Sequence, residues 1–557
     1  MALLSNGQLL IRHPTAAHAA VMARTLQVPF QLGNYTLEPL FRAAAAPPAA
    51  PPAAAARAAM IGPAASPPPV WSLAKPTTAV QQNPWDVAHQ AAAQQGYSAY
   101  VEPDIMHAPA KPPPAVAPAQ LNTNYPPAGA VSPGWHLMQE FSGFANIRGI
   151  ATGQGMRIAH LDTGYTPGHI STPRNLQPAL GWNFWDDNND TVDPGTQVLG
   201  VLQPGHGTAT LAILAGNTLN LNFMGQQYEG DFGGAPDATV IPVRIGPGVV
   251  HFYSSALARG LNWALAPGGN PQQKCQVVSL SHGGLPSAAW ADAVNQLYEA
   301  GVTIVAASGD CFYLWLVDVA TQFTVYPSAF NRVITALGAT FERQPYKTTT
   351  VGVMQGCWGP DGVMEKAAAG FTPNVAWMDR TKLPDGFDMT GGGTSASTPQ
   401  IAAACALWLQ LYGSRFPAGW TVVEACRLAL FRSCDPTAAG KSFLGWGTLN
   451  APKMLDPALA DALVAENQAT PWQASAPDAA SFPFWRELFG APPAGNAQEA
   501  MYDTEVAQIV LSSSNAALVR LGQTVAAGGT LGATDRASMI AALKNETISA
   551  ALTARLS

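Results

Sequence analysis

Between residues 135 and 455, short apolar runs alternate with longer helical segments, and this alternation strongly limits the folds open to the chain. Five runs have the length and composition of buried strands: 156–161, 239–244, 276–281, 302–307 and 333–337. Three segments between or after them have a helical pattern: 253–266, 288–300 and 398–412. Strands separated by helices form parallel sheets that are covered on both faces. We therefore predict an α/β fold, a doubly wound, mostly parallel sheet flanked by helices, with functional residues at the carboxyl ends of its strands.

The sequence on either side of this region has a different composition. Residues 43–69 are almost entirely Ala and Pro, which cannot form a packed core and are typical of a linker. We accordingly predict an N-terminal segment at 1–42, a linker at 43–69 and a small α+β segment at 70–134 that ends in a Pro-rich connection. The α/β domain at 135–455 is followed by an Ala-rich helical extension at 456–557.

Composition and charge exclude several classes of partner. The net charge is −7 and no cluster of Lys and Arg is present, so we expect no nucleic-acid binding. No run approaches the roughly 18 apolar residues of a membrane span. The first residues lack a basic segment that leads into an apolar stretch, so we expect no secretory signal and a cytoplasmic location. The six cysteines are then expected to be reduced thiols.

Three motifs supply an acid, a base and a nucleophile in a fixed order. Asp162 ends the first apolar run, His206 stands between two glycines before a helical segment, and Ser395 follows a glycine run before another helix. A serine hydroxyl becomes a good nucleophile when an imidazole takes its proton, and a carboxylate orients that imidazole. We predict that these three residues form a catalytic triad. Ser397 or Thr398 is the expected N-cap of the helix that follows.

With these motifs in the order Asp, His, Ser, residues 135–455 resemble the subtilisin-like serine proteases, or subtilases. The resemblance implies a serine endopeptidase that cleaves a peptide or protein through an acyl-enzyme on Ser395. It also implies that the peptide lies as an added strand between residues 281–284 and an opposite edge near residues 248–253. The substrate-binding residues implied are Val250, Ser281, His282, Gly283 and Gly284. His282 replaces the family's usual Leu, and in a pocket it would favour acidic or aromatic side chains.

Asp310 stands where the family usually has an Asn whose amide donates to the oxyanion. The sedolisins, acid-acting relatives, carry an Asp there, although their base is Glu rather than His. A carboxyl group can donate a hydrogen bond only when it is protonated, which requires a raised pKa. We include Asp310 among the catalytic residues. The alternative is that it binds a cation or a partner group and that the enzyme is intrinsically slow.

Two further features have alternative interpretations. Asp187, Asn188 and Asp190 belong to an oxygen-rich loop that could bind calcium, or that is simply solvated; no other cofactor is expected. Residues 100–104 resemble the last strand of subtilase propeptides, which implies that the N-terminal segment is an intramolecular inhibitor. The alternative is an N-terminal subdomain that is never removed.

Two other functions remain open on the sequence. Low charge and the additional segments would suit a specialised processing protease, or a peptide-joining enzyme, that acts on one partner. Asp310 and the large non-catalytic part of the chain would also suit a catalytically weak scaffold that binds peptides.

Overall fold

The computed structural model describes residues 3–13, 35–41, 69–94, 96–107, 131–195, 205–249, 251–312, 323–348, 353–478, 483–490, 496–526 and 529–557. The predicted linker at 43–69 lies outside these ranges except for its last residue. Within the described ranges, no helix is long and apolar enough to cross a bilayer.

An antiparallel sheet forms the N-terminal domain. Its strands are β1 (Leu4–His13), β2 (Tyr35–Pro39), β3 (Val70–Pro76) and β4 (Tyr100–His107), in the order β4-β1-β3-β2. Helix α1 (Pro84–Ala93) connects β3 to β4 and packs against the sheet. Because β1 and β2 pair with β3, strands from the segment at 1–42 and from the segment at 70–134 share one sheet. Periodicity within a strand does not identify its partner.

Residues 157–391 contain the remaining strands. In chain order these are β5 (Arg157–Asp162), β6 (Trp182–Asn183), β7 (Thr218–Phe223), β8 (Gln226–Asp231), β9 (Thr239–Arg244), β10 (Phe252–Tyr253), β11 (Val277–Leu280), β12 (Thr303–Ala307), β13 (Asp310–Phe312), β14 (Ile334–Ala339), β15 (Met354–Gly356), β16 (Ala367–Phe371), β17 (Val375–Met378) and β18 (Phe387–Gly391). Seven of them form a parallel sheet in the order β16-β14-β12-β11-β5-β9-β6. The prediction missed β16, whose Ala-rich sequence has little strand propensity and is fully buried.

Helices cover both faces of this sheet. In chain order they are α2 (His206–Ala215), α3 (Ser254–Trp263), α4 (Ala288–Glu299), α5 (Asp361–Met364), α6 (Thr394–Tyr412), α7 (Trp420–Ser433), α8 (Lys441–Leu444) and α9 (Ala451–Met454). Helix α6 is buried along most of its length and packs on α2 and on four strands of the sheet. The predicted α/β fold, a parallel sheet flanked by helices, is confirmed.

The described part of the chain after residue 456 is helical, as predicted. Its helices are α10 (Pro457–Ala469), α11 (Pro483–Phe489), α12 (Ala497–Ser512), α13 (Ala516–Ala526), α14 (Ala533–Leu543) and α15 (Ala550–Leu556). Short non-helical segments separate α12 from α13 and α14 from α15. The side chains of Asn515 and Ser549 accept backbone N–H groups at the two breaks, which begins a new helix at each.

Candidate active site

Asp162 is the last residue of β5 and is completely buried near the middle of the parallel sheet. Its Oδ1 accepts hydrogen bonds from His206 Nδ1 at 2.8 Å and from the Thr163 backbone N–H at 2.7 Å. Its Oδ2 accepts from Thr210 Oγ1 at 3.1 Å. Burial alone would raise the pKa of Asp162, but His206, His282 and the hydrogen bonds hold it below its ordinary value. Asp162 can therefore accept a hydrogen bond from an imidazole as a charged carboxylate.

His206 is the first residue of α2 and lies between Asp162 and the ring of Trp377. The preceding Gly205 has φ +83°, and a Cβ at Gly207 would lie 2.1 Å from the carbonyl oxygen of Gly164, so both glycines let the helix start close to β5. The Trp377 ring contacts the imidazole edge to face at a centroid distance of 5.5 Å. No sequence signal identified Trp377, which is part of a short strand far along the chain.

Ser395 is the second residue of α6 and is buried at the helix N-terminus. The helix begins at Thr394, so the expectation that Ser397 or Thr398 is its N-cap is wrong. Pro399 lies within the helix and has no N–H to bond the carbonyl oxygen of Ser395. Ser281 Oγ donates to that carbonyl at 3.1 Å, and this bond replaces the missing helical one.

The segment after β11 contacts all three predicted triad residues. Ser281 is bonded to Ser395, and the next residue, His282, contacts both other members of the predicted triad. Ser395 Oγ donates to the Ser281 carbonyl at 3.4 Å, and among the described residues it makes no hydrogen bond to His206. In this arrangement the Ser395 hydroxyl group is bonded to Ser281 rather than to the imidazole.

Asp310 is the first residue of β13 and faces the N-terminus of α6. Its carboxylate accepts hydrogen bonds from the Thr394 backbone N–H at 2.9 Å and from Thr394 Oγ1 at 3.2 Å. Desolvation by surrounding protein raises the pKa of Asp310 to about 6, while these bonds and His206 oppose the rise. The residue is also exposed to solvent, which favours the charged form and opposes the rise. Asp310 thus contacts Thr394, the residue before the predicted nucleophile.

His282 does not line a substrate pocket, and that expectation is wrong. The side chain is completely buried, with Nδ1 3.8 Å from Asp162 Oδ2 and the ring edge to face against His206. Neither ring nitrogen has a hydrogen-bond partner among the described residues, although the Gly248 backbone approaches weakly. His282 follows the end of β11 and lies behind the acid rather than in the groove.

The other residues expected to bind substrate differ in whether their backbone groups are free to bond a peptide. Gly284 exchanges both backbone hydrogen bonds with Tyr326, at 2.8 and 3.0 Å, so its polar groups are occupied. The backbone of Gly283 has no partner in the described part of the chain, and it is partly exposed. Ser281 is engaged with Ser395, and Val250 lies outside the described residues.

The candidate calcium ligands do not form one site. Asp187 pairs with Arg259 at 2.9 Å, and Lys75 lies 3.9 Å away, so cations of the chain itself surround it. Asn188 and Asp190 side chains instead accept backbone N–H groups of the loop. Across the described ranges, no group of three His, Cys, Asp or Glu side chains is arranged to hold a metal ion. These residues do not fit a calcium site.

Residues 153–447 match the model of the subtilase family. Among curated proteins, the chain is 30% identical to subtilisin BL of Lederbergia lenta, over 49% of this chain and 82% of that protein. It is 27% identical to an extracellular serine proteinase of Thermus sp., over 48% of this chain and 53% of that protein. It is 26% identical to the minor extracellular protease Epr of Bacillus subtilis, over 46% of this chain and 33% of that protein. The aligned region thus spans less than two thirds of the length of the last two.

Two of these relatives are named as extracellular proteases, so the expectation of a cytoplasmic location is wrong. The matched region contains all three predicted triad residues and Asp310, on the fold that the sequence predicted. The family model covers more than half of the chain and confirms the predicted resemblance. The chain belongs to the subtilase family of serine endopeptidases.

Proposed function

We propose that this chain cleaves peptide bonds in proteins through an acyl-enzyme on Ser395. His206 takes the hydroxyl proton as Ser395 attacks the scissile carbonyl, and then gives it to the leaving amine. Asp162 holds the Nδ1 proton of His206 and stabilises the imidazolium that forms. The observation that carries this proposal is the 2.8 Å bond from His206 to a buried, charged Asp162 beside the N-terminus of α6.

Asp310 and the Ser395 backbone N–H are proposed to stabilise the oxyanion. The N-terminus of α6 contributes partial positive charge at this point. Asp310 donates a hydrogen bond only while its carboxyl group is protonated, and its raised pKa favours that form at mildly acidic pH. Above that range the ionised carboxylate repels the developing charge.

The N-terminal domain is proposed to inhibit the enzyme by occupying one end of the groove. His107, the last residue of β4, pairs with Phe252 of β10 and accepts a hydrogen bond from the Leu285 backbone N–H at 3.1 Å. The chain therefore lies between the two segments that were expected to flank a substrate. A peptide substrate would compete with β4 for the same edges.

Two buried carboxylates of β4 support this docking. Glu102 accepts hydrogen bonds from Ser287 Oγ and from two backbone N–H groups at the start of α4. Asp104 accepts bonds from the backbone N–H and the hydroxyl group of Ser255 at the start of α3. Each carboxylate thus satisfies N–H groups that a helix leaves free at its N-terminus.

Covalent labelling with a small fluorophosphonate tests the activity. We expect modification of Ser395 in the wild type and none in Ser395→Ala. Asp162→Asn is expected to lower kcat by roughly 10⁴, since an amide favours the wrong tautomer of His206. Failure of the folded wild type to react at any pH between 5 and 9 would leave a peptide-binding scaffold as the better description.

A further inference from the structure

Helix α12 lies between the N-terminal domain and the catalytic domain and contacts both through buried polar groups. Gln508 accepts a hydrogen bond from Trp85 Nε1 at 2.9 Å and donates to the Pro286 carbonyl oxygen at 2.8 Å. Trp85 belongs to α1, and Pro286 lies just before α4. One fully buried side chain of the C-terminal extension therefore links the two domains.

A second link runs through β4 itself. Thr504 Oγ1 lies 2.8 Å from Tyr100 OH, which lies 2.9 Å from Glu102. Glu102 is the carboxylate that bonds the start of α4. Helix α12 thus supports the residue that docks β4 on the catalytic domain. Because all of these groups are buried, separating the domains would leave several polar groups without partners.

A third link is an ionisable pair. Glu505 is completely buried; it lies 3.1 Å from His89 Nε2 of α1 and accepts two hydrogen bonds from Ser549. Asp86, also on α1, accepts the Ala550 backbone N–H at the start of α15. Helices α12 and α15 therefore both bind α1, and the buried carboxylate makes that contact specific rather than merely apolar.

The apolar packing is continuous across the same contacts. One buried cluster contains side chains of the N-terminal domain, of the catalytic domain and of the C-terminal helices. Its members from the N-terminal domain include Leu10 and Trp71, and those from the extension include Val506 and Leu552. The strand pairing between β4 and β10 is short and comprises two residue pairs. The catalytic domain also bonds the N-terminal domain directly, through Asp292 to Trp71 Nε1 at 2.8 Å and through Glu102 and Asp104. The extension adds a second set of buried contacts to the same domain.

We propose that helices α12 and α15 retain the N-terminal domain on the enzyme after the chain between residues 107 and 131 is cut. The cut protein is then a stable complex of two fragments with β4 still at the groove, rather than a free protease. The expected consequence is persistent inhibition, and this consequence rests on the proposed function. The retention itself does not depend on catalysis.

Co-elution of the fragments tests retention without using the activity. A recognition sequence for a highly specific protease is inserted at residues 109–133 of full-length Ser395→Ala, and the cut protein is diluted and passed over a size-exclusion column. We expect the N-terminal fragment to elute with the remainder of the chain. Separation of the wild-type fragments within minutes of dilution would overturn the proposal.

Variants of the α12 contacts test which residues retain the domain. Gln508→Leu and Thr504→Val remove the polar links while keeping similar side-chain volumes, and each is expected to speed dissociation roughly tenfold or more. Arg432→Ala is the matched control, because Arg432 forms an exposed pair with Glu466 on α10. Thermal unfolding of each uncut variant shows whether it folds. Folded Gln508→Leu and Thr504→Val variants that release the fragment as slowly as the control would contradict the assignment.

The consequence is measured separately in chains that keep Ser395. Once cut, Gln508→Leu is expected to cleave a peptide substrate at least several times faster than the cut wild type, because the groove is vacated sooner. If retention is found but no form of the chain reacts with a fluorophosphonate, the proposed hydrolysis fails while the retention stands. If both cut proteins are equally active and the fragments remain together, the docked domain does not inhibit.

Discussion

Three imidazole rings surround the carboxylate of Asp162, although a triad requires only one. Besides His206, His282 and His160 lie 3.8 and 3.9 Å from Oδ2. Burial lowers the pKa of each of these two histidines to about 4, so both are neutral at neutral pH. At neutral pH they therefore place neutral rings beside the acid, and they lower its pKa through their charge only at acidic pH, where they are protonated. The buried nitrogens of His282 have no close hydrogen bond beyond the approach of the Gly248 backbone, which is costly for folding.

Replacing His282 with Leu is expected to make the protein more stable and the enzyme slower. The change removes unsatisfied buried nitrogens, and we expect a gain of about 1 kcal/mol in the free energy of unfolding at neutral pH. We expect kcat to fall several-fold with KM little changed, because the ring contacts His206 but not the groove. Denaturant unfolding and steady-state kinetics measure the two effects.

The stability gain in His282→Leu should also depend on pH. Because the folded protein holds the pKa of His282 at about 4, below its ordinary 6.5, the unfolded chain binds more protons between these values. Wild-type stability is thus lost as the pH falls through this window, and the variant escapes that part of the loss. A gain that stays constant from pH 7 to pH 5 would contradict this account.

Asp310→Asn is expected to raise activity most at neutral and alkaline pH. The wild-type carboxyl group, with its pKa raised to about 6, loses its proton above that value and can no longer donate. An amide donates at every pH, and its oxygen can still accept the Thr394 N–H. Removal of one oxyanion donor from subtilisin, a member of this same family, costs about 10²–10³ in kcat, and the gain here should approach the lower figure.

Rates for both forms from pH 5 to pH 9 check the prediction, and the gain should shrink toward pH 5. A wild type that is faster at neutrality would show that Asp310 acts as an anion, through a cation or a partner group. Glu38→Gln is a suitable control, because this carboxylate lies in an exposed pair with Lys75 in the N-terminal sheet.

The first turns of helix α6 depend on a hydrogen bond from the segment after β11. Pro399 interrupts the hydrogen-bond ladder in the second turn and leaves the Ser395 carbonyl oxygen without its usual partner. Ser281, from the segment after β11, supplies the missing donor. The interruption therefore ties the start of α6 to the segment that was expected to bind substrate, and the position of Ser395 depends on both.

Ser281→Ala is expected to cost about 1–2 kcal/mol of stability, because it leaves that carbonyl oxygen without a donor. In a Pro399→Ala background the residue at 399 regains its N–H, so the same change should cost less. Denaturant unfolding of the four proteins gives the coupling energy. Equal costs in the two backgrounds would show that the Ser281 hydroxyl does not serve this purpose.

The three regions of the molecule form one packed body over the described residues. The N-terminal domain contacts the catalytic domain through β4, and the C-terminal helices cover the junction and contribute to the same apolar cluster. Helix α12 contains buried Thr504, Glu505 and Gln508, which would be unusual on the surface of a separate domain. The extension is therefore an integral part of the molecule, and we infer its role from its contacts with the N-terminal and catalytic domains.

The sequence by itself determined the α/β fold, the family and the local setting of each predicted triad residue. Asp162 follows an apolar run, His206 is flanked by glycines, and Ser395 follows a glycine run, so short-range geometry specified these positions. Tertiary structure decided what no local pattern encodes: that β1 and β2 join β3, that His282 lies behind the acid, and that Gln508 bridges two domains. Periodicity reports that a side chain is buried, but which surface covers it depends on contacts between residues far apart in the chain.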